Sequence, residues 1–221
     1  MKLFGSFSSP YVRRVAITLR FYGLEHELQK LTPFGEEKEF LRKINPLGRV
    51  PVLQLDDGEC ISESHVIIEY LDSLVDEDQR LTPVSGKARR EVLSLAGVAS
   101  ATADKLVTIL YEYHFRPREI VYKPWIKMCE QQVEDGFIWL NSKLRPGSFF
   151  GDELTQADIS AAVFWRFAGE KRPEFCKRMK CDNLQSLSNR LEQNDAFKQT
   201  RSEGPLPKEL ELGLRADRVV T

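Results

Sequence analysis

The chain of 221 residues holds only four cysteines and three histidines. Cys60, Cys129, Cys176 and Cys181 never fall at Cys-x-x-Cys spacing, so the usual signature of a zinc knuckle or a dithiol redox site is missing. His26, His65 and His114 are scattered and show no metal-ligand spacing, so no metal is expected. No uncharged apolar run approaches the length of a bilayer-crossing helix. Met1-Lys2-Leu3-Phe4-Gly5 lacks the apolar stretch and small-residue cleavage site of an export signal. Together these absences predict a cytoplasmic protein with free thiols and no membrane partner. An excess of one charge is missing as well, with 32 basic against 33 acidic residues. Residues 1–80 carry 10 basic and 14 acidic side chains, a balance of -4, and the remainder balances at +3. That speaks against a basic nucleic-acid surface. The densest basic stretch, Lys171-Arg172 and Lys177-Arg178-Met179-Lys180, is broken by Glu170 and Glu174 and reads as a solvated helical face. There is no internal repeat and no low-complexity tract.

What the sequence does contain is an ordinary globular composition, 42% hydrophobic and 29% charged, with core-forming residues throughout. Lys2 to Phe7 reads as a short strand. Val12, Val15, Ala16 and Leu19 then mark one face of a helix that stops at Gly23. His26 to Leu31 reads as a second strand and Glu36 to Lys43 as a short charged helix. Val50 to Leu55 and Glu59 to Ser62, joined by Asp57-Gly58, form a hairpin. Ile67, Tyr70, Leu71 and Leu74 place a helix over Ser64 to Leu74. The order β-α-β, linking helix, β-β-α implies a sheet with a parallel βαβ unit.

Beyond a linker at Asp76 to Gly86, the spacing is helical only. Val92, Leu95, Ala96, Ala99, Leu106, Leu110 and Tyr113 fall on one helix, and Ile126, Cys129, Val133, Phe137, Leu140 and Leu144 on the next. The expected organisation is an α/β domain over residues 1–78, an all-α domain over 87–208 and a charged tail over 209–221.

Four short motifs stand out, three of them with chemistry to offer. Ser9-Pro10 is a helix start, with Ser as N-cap and Pro just inside. A hydroxyl there lies at the positive end of the helix dipole and can donate to an anion; Ser8 is a neighbour that can do the same. Val50-Pro51 closes the run Asn45-Pro46-Leu47-Gly48-Arg49-Val50-Pro51. A proline here fits a strand start and admits a cis bond, and the Val50 backbone can pair with a short peptide. Glu63-Ser64 sits at another helix mouth. Read as a site, Ser64 and the helix end would take a carboxylate and Glu63 an ammonium group; read structurally, it is one more N-cap. Thr155-Gln156-Ala157-Asp158 is a capping box flanked by Leu154 and Ile159, a folding element rather than a site. Tyr111, Tyr113 and Phe115 cluster on one helix and Phe164, Trp165 and Phe167 on another, as core or as walls of an apolar pocket.

With these motifs in this order, the chain resembles the cytosolic glutathione transferases along almost its whole length. Ser9-Pro10-Tyr11-Val12-Arg13, Asn45 to Pro51, Glu63-Ser64 and Thr155-x-x-Asp158 carry the resemblance, with Asn183-Leu184 and Ala196-Phe197 similar to the family's closing helices. The resemblance implies a thioredoxin-like N-terminal domain and an all-helical C-terminal domain. It implies glutathione as co-substrate, with Ser9 in the place of the activating serine of the serine-type classes. Val50, before a cis Pro51, would pair with the cysteinyl backbone of glutathione. Glu63 and Ser64 would hold the γ-glutamyl end, and Lys38 and Arg49 are candidates for the glycyl carboxylate. Phe7, Tyr111, Phe115 and Trp165 would wall the site of a hydrophobic electrophile. The implied activity is attack of the glutathione thiolate on an electrophile or peroxide, by a homodimer. Glutathione-dependent isomerisation or reduction, and a non-catalytic interaction module, are the alternatives.

Overall fold

The computed structural model describes residues 1–202. The tail expected over 209–221 lies outside the described residues. Two compact units are present: residues 1–89 with the described part of 191–203, and residues 90–190.

The first unit is built on a four-stranded sheet in the order β2-β1-β3-β4. Its strands are β1 (Lys2–Phe4), β2 (Glu27–Gln29), β3 (Val52–Gln54) and β4 (Cys60–Ser62). β1 and β2 are parallel, so their connection needs a crossover helix, and α1 (Pro10–Phe21) supplies it. β3 runs antiparallel to both β1 and β4. The Asp57-Gly58 turn closes as expected: Leu55 N–H donates to Glu59 O at 2.8 Å, and Glu59 N–H to Asp57 Oδ1 at 3.0 Å.

Alternation along the strands sorts side chains to the two faces. Leu3 and Leu53, opposite one another, join Val12, Val15, Ala16 and Leu19 of α1 and Ile67, Ile68 and Leu71 of α3 (Ser64–Ser73). Phe4 and Val52, the next pair along, face the other way onto Leu31 and onto Leu41 of α2 (Lys38–Ile44). All the strands are shorter than the patterning suggests. β1 ends before Gly5, whose positive φ of 138° takes the chain off the strand path. A Cβ at Gly5 would collide with Val12 Cγ2, so glycine alone permits the approach. β3 starts only after Pro51, which has no N–H for the ladder.

The second unit is all helical. It holds the bulk of α4 (Gly86–Phe115), then α5 (Lys123–Lys143), α6 (Gln156–Lys171), α7 (Pro173–Met179) and nearly all of α8 (Asp182–Leu191). α4 is by length and composition long and apolar enough to cross a membrane, which qualifies the reading of the sequence as free of such a segment. Asp104 and Lys105 interrupt it, and Val92, Leu95, Ala99, Ala103, Leu106 and Leu110 are buried inside the unit as a core stripe. α4 and α5 approach closely at Gly136, where a Cβ would collide with Thr102 Oγ1. α6 is buried nearly all round. Its capping box is formed, with Asp158 accepting from Thr155 N–H at 2.9 Å and from Thr155 Oγ1 at 2.8 Å.

One boundary moves. The sequence assigned residues 87–208 to the helical part, but residues 191–202, including α9 (Asp195–Lys198), are compact with the first unit. A buried arginine explains it. Arg13 of α1 is 6% exposed, and its charge is met by Glu192 at 2.7 Å and by the carbonyls of Phe197 and Thr200. No local pattern announces a partner so distant in sequence.

Candidate functional site

The register of the sheet gathers three of the motifs. Phe4, Val52 and Ser62 lie side by side across β1, β3 and β4. The end of β1, the start of β3 and the end of β4 therefore share one end of the sheet. Ser9 follows the first, Val50-Pro51 precedes the second, and Glu63-Ser64 follows the third.

Ser9 is the N-cap of α1, with extended backbone angles and Pro10 in the first turn. Its Oγ accepts from Val12 N–H at 3.5 Å, a long bond that leaves the hydroxyl proton for an outside acceptor. The preceding loop is held locally: Ser9 N–H donates to Ser6 O at 2.9 Å, and the hydroxyls of Ser6 and Ser8 lie 3.1 Å apart. Ser9 is half-buried at the positive end of a twelve-residue helix dipole.

The Val50-Pro51 bond is cis, as the sequence allowed. Val50 is half-buried and Pro51 buried. The loop before them is organised by Asn45, to which the sequence reading gives no role. Asn45 is 2% exposed; its Oδ1 accepts from Leu47 N–H at 3.0 Å, and its Nδ2 donates to Arg49 O at 2.8 Å. An Asn bonding to backbone two residues on, ahead of Pro and Gly, is the turn signal that would have singled it out.

Glu63 has φ 68° and ψ 119°, in a region that side-chain-bearing residues rarely enter. Such strain collects at binding sites, where surrounding structure holds it. The structure puts Glu63, not Ser64, in the cap position of α3, and among the described residues no side chain caps that end. The first N–H groups of α3 therefore retain donor capacity toward an anion. Ser64 is buried at the helix start, 5% exposed.

The other candidates divide. Lys38 is exposed at the start of α2 and Arg49 is exposed in the Asn45 loop. Phe7 is half-buried against the core of the first unit. In the second unit, Tyr111 packs edge-on against Phe115 at 5.2 Å, and Phe115 is 56% exposed. Trp165 is 4% exposed, edge-on to Phe137 at 5.1 Å, with its indole N–H bonded to Gln185 at 3.1 Å. The expected pocket-wall tryptophan is thus a core residue, because its polar tip is satisfied internally. Among the described residues, no group of three His, Cys, Asp or Glu side chains is arranged to hold a metal ion.

Residues 3–79 match the family model described as glutathione S-transferase, N-terminal domain. The chain is 28% identical over 157 residues to the glutathione S-transferase GstA of Escherichia coli O157:H7, covering 70% of this chain and 75% of that protein. It is 40% identical over 72 residues to the GST-like protein YibF of Escherichia coli K12, a match spanning only 33% of this chain and 35% of YibF. A glutathione S-transferase from Methylobacterium radiotolerans, solved with glutathione sulfonate, superposes with a TM-score of 0.86 at 26% identity, over 93% of this chain and 96% of that one. A family member from Pseudomonas fluorescens Pf-5, solved with glutathione, gives a TM-score of 0.81 at 27% identity, over 92% and 99%. Residues 3–79 thus match the glutathione S-transferase N-terminal domain, and the chain is similar in fold to glutathione S-transferases along nearly its full length.

Proposed function

We propose that the protein binds glutathione at the shared end of its sheet and activates the thiolate for attack on a small electrophile or peroxide. The observation that carries this reading is the register that sets the Ser9 cap, the cis Val50-Pro51 bond and the strained Glu63 at one end of the sheet. Ser9 Oγ–H donates to the sulfur, and the α1 dipole favours the charged form. Nothing removes a proton from Ser9; it acts as a donor throughout. Val50 offers its backbone N–H and C=O to the cysteinyl residue in the manner of an added strand. The start of α3 with Ser64 takes the γ-glutamyl carboxylate, and Glu63 takes the ammonium. Lys38 or Arg49 meets the glycyl carboxylate.

Phe7, half-buried in the first unit, is the proposed apolar contact for the electrophile. The working form is a homodimer in the cytoplasm, on the strength of the family resemblance alone.

The test is calorimetry with glutathione beside conjugation to a generic aromatic halide, on wild type and Ser9→Ala. Binding retained in both, with turnover lost in the variant, is the expected result. Equal turnover in the two would remove Ser9 from the mechanism. Absence of binding by wild type would replace the enzyme reading with that of an interaction module.

A further inference from the structure

We propose that Arg13 is a positioning residue: the segment after α8 grips α1 through it, and so sets the acidity of the thiol bound at Ser9. The proposal rests on the glutathione-binding reading above. Three observations carry it. Arg13 stands one turn inside the helix that Ser9 caps, and its backbone N–H makes the first intrahelical bond, to Ser9 O at 3.0 Å. Its guanidinium is held on the far side. Nε donates to Thr200 O at 3.1 Å, Nη2 donates to Phe197 O at 3.2 Å, and Nη2 lies 2.7 Å from Glu192 Oε1. Glu192 is itself 3% exposed and is held by Arg201, whose Nε lies 3.2 Å from Oε2 and whose Nη2 donates to the Glu192 carbonyl at 2.8 Å.

The second mount is Phe197. It is fully buried, lies 5.7 Å beneath the Arg13 guanidinium, and meets the Phe21 ring edge-on at 6.4 Å. One residue of the C-terminal segment thus touches α1 at both its first and its last turn. The opposite face of α1 is fixed by the core, through Val12, Val15, Ala16 and Leu19. A helix held on two faces has its tilt fixed, and with it the place of its cap. A buried Arg–Glu pair adds little net stability over an apolar pair of similar volume, whereas breaking one partner leaves a costly bare charge. Its contribution here is therefore geometric: two carbonyls at the end of a short helix are tied to a rigid planar fork.

The test compares wild type with Arg13→Met/Glu192→Gln, which removes both charges and leaves the local net charge unchanged. Glutathione affinity is measured by calorimetry, and the pKa of the bound thiol by thiolate absorbance against pH. The expected result is affinity within about three-fold, a bound-thiol pKa raised by about half a unit or more, and kcat lowered about ten-fold, since small misplacements of a donor are costly. A purely structural role would lower the melting temperature and leave the thiol titration superimposable on wild type; that result in a folded, glutathione-binding variant overturns the proposal. If the double variant does not fold, Arg13→Lys, which keeps the charge but not the planar fork, is read the same way. Failure of wild type to bind glutathione would instead overturn the underlying reading, and this proposal with it.

Discussion

The phenol of Tyr22 donates to the buried carboxylate of Asp72 and accepts from the backbone N–H of Leu81 at 2.8 Å. One hydroxyl thus ties the residue after α1 to α3 and to the stretch leading into α4. Burial, and next the hydrogen bond to Asp72, hold the Tyr22 hydroxyl protonated far above its ordinary range. Burial pushes the Asp72 carboxyl upward as well, against the opposing bonds from Tyr22 and Thr82. Tyr22→Phe removes a donor and an acceptor at once and leaves the Leu81 N–H without that partner. The expected cost is about 1–3 kcal/mol, read as a lower urea midpoint. An unchanged midpoint would mean that water replaces the hydroxyl and that the tie contributes nothing.

Local patterns carried the reading of this chain as far as local physics reaches. Val12, Val15, Ala16 and Leu19 lie on one helix stripe, as their 3.6-residue spacing predicts, and the short strands that carry Leu3, Phe4, Val52 and Leu53 fall within the stretches read as strands. Ser9-Pro10 and Val50-Pro51 were legible because cap and proline chemistry act within a few residues. Arg13 and Glu192 meet across most of the chain, and no window in the sequence joins them. Glu63 at positive φ was hidden for another reason: only Gly or Asn would have announced that backbone. Trp165 shows that aromatic spacing alone cannot separate a core wall from a pocket wall, since only the partner of its N–H decides.

Asp158 is fully buried and satisfies three donors, including Phe149 N–H at 2.9 Å. Burial raises its carboxyl above the usual range even though all three bonds pull the other way. Asp158→Ala removes the reciprocal half of the cap and strands the Phe149 N–H. The two losses together amount to about 2–4 kcal/mol. A melting temperature clearly below that of wild type is expected, with Thr155→Ala intermediate. Equal melting of Asp158→Ala and wild type would show that α6 is held by its packing alone.

Burial pushes the Cys176 thiol from its ordinary 9.0 up to about 12, and burial likewise takes Cys181 to about 11. Above pH 9 the unfolded chain releases protons that the native state keeps, so stability falls as pH rises toward those values. Each thiol contributes at most about 1.4 kcal/mol per pH unit in that window. The urea midpoint should decline between pH 9 and 10.5, and Cys176→Ala/Cys181→Ala should flatten the decline. A wild-type midpoint that is level across this range would contradict the assignment. At neutral pH the half-buried Cys60 is expected to react first with an alkylating reagent, and the other three cysteines only after unfolding.

The sharpest probe of the Ser9 position is to change its chemistry rather than delete it. A thiol placed at the cap of α1 would be ionised more readily, because the helix dipole favours a thiolate there. Ser9→Cys, in a Cys60→Ala background, is therefore expected to react with oxidised glutathione. The new thiolate attacks one sulfur of the disulfide, a mixed disulfide forms with the protein, and one glutathione leaves as thiolate. Mass spectrometry would show the gain of one glutathionyl group, reversed by dithiothreitol, while conjugation turnover falls because the hydroxyl donor is gone. Wild type cannot form this bond at position 9. Retained glutathione binding without an adduct in the Ser9→Cys protein would place the bound sulfur out of reach of the cap, and the donor would then have to be sought in the neighbouring Ser6–Ser8 pair.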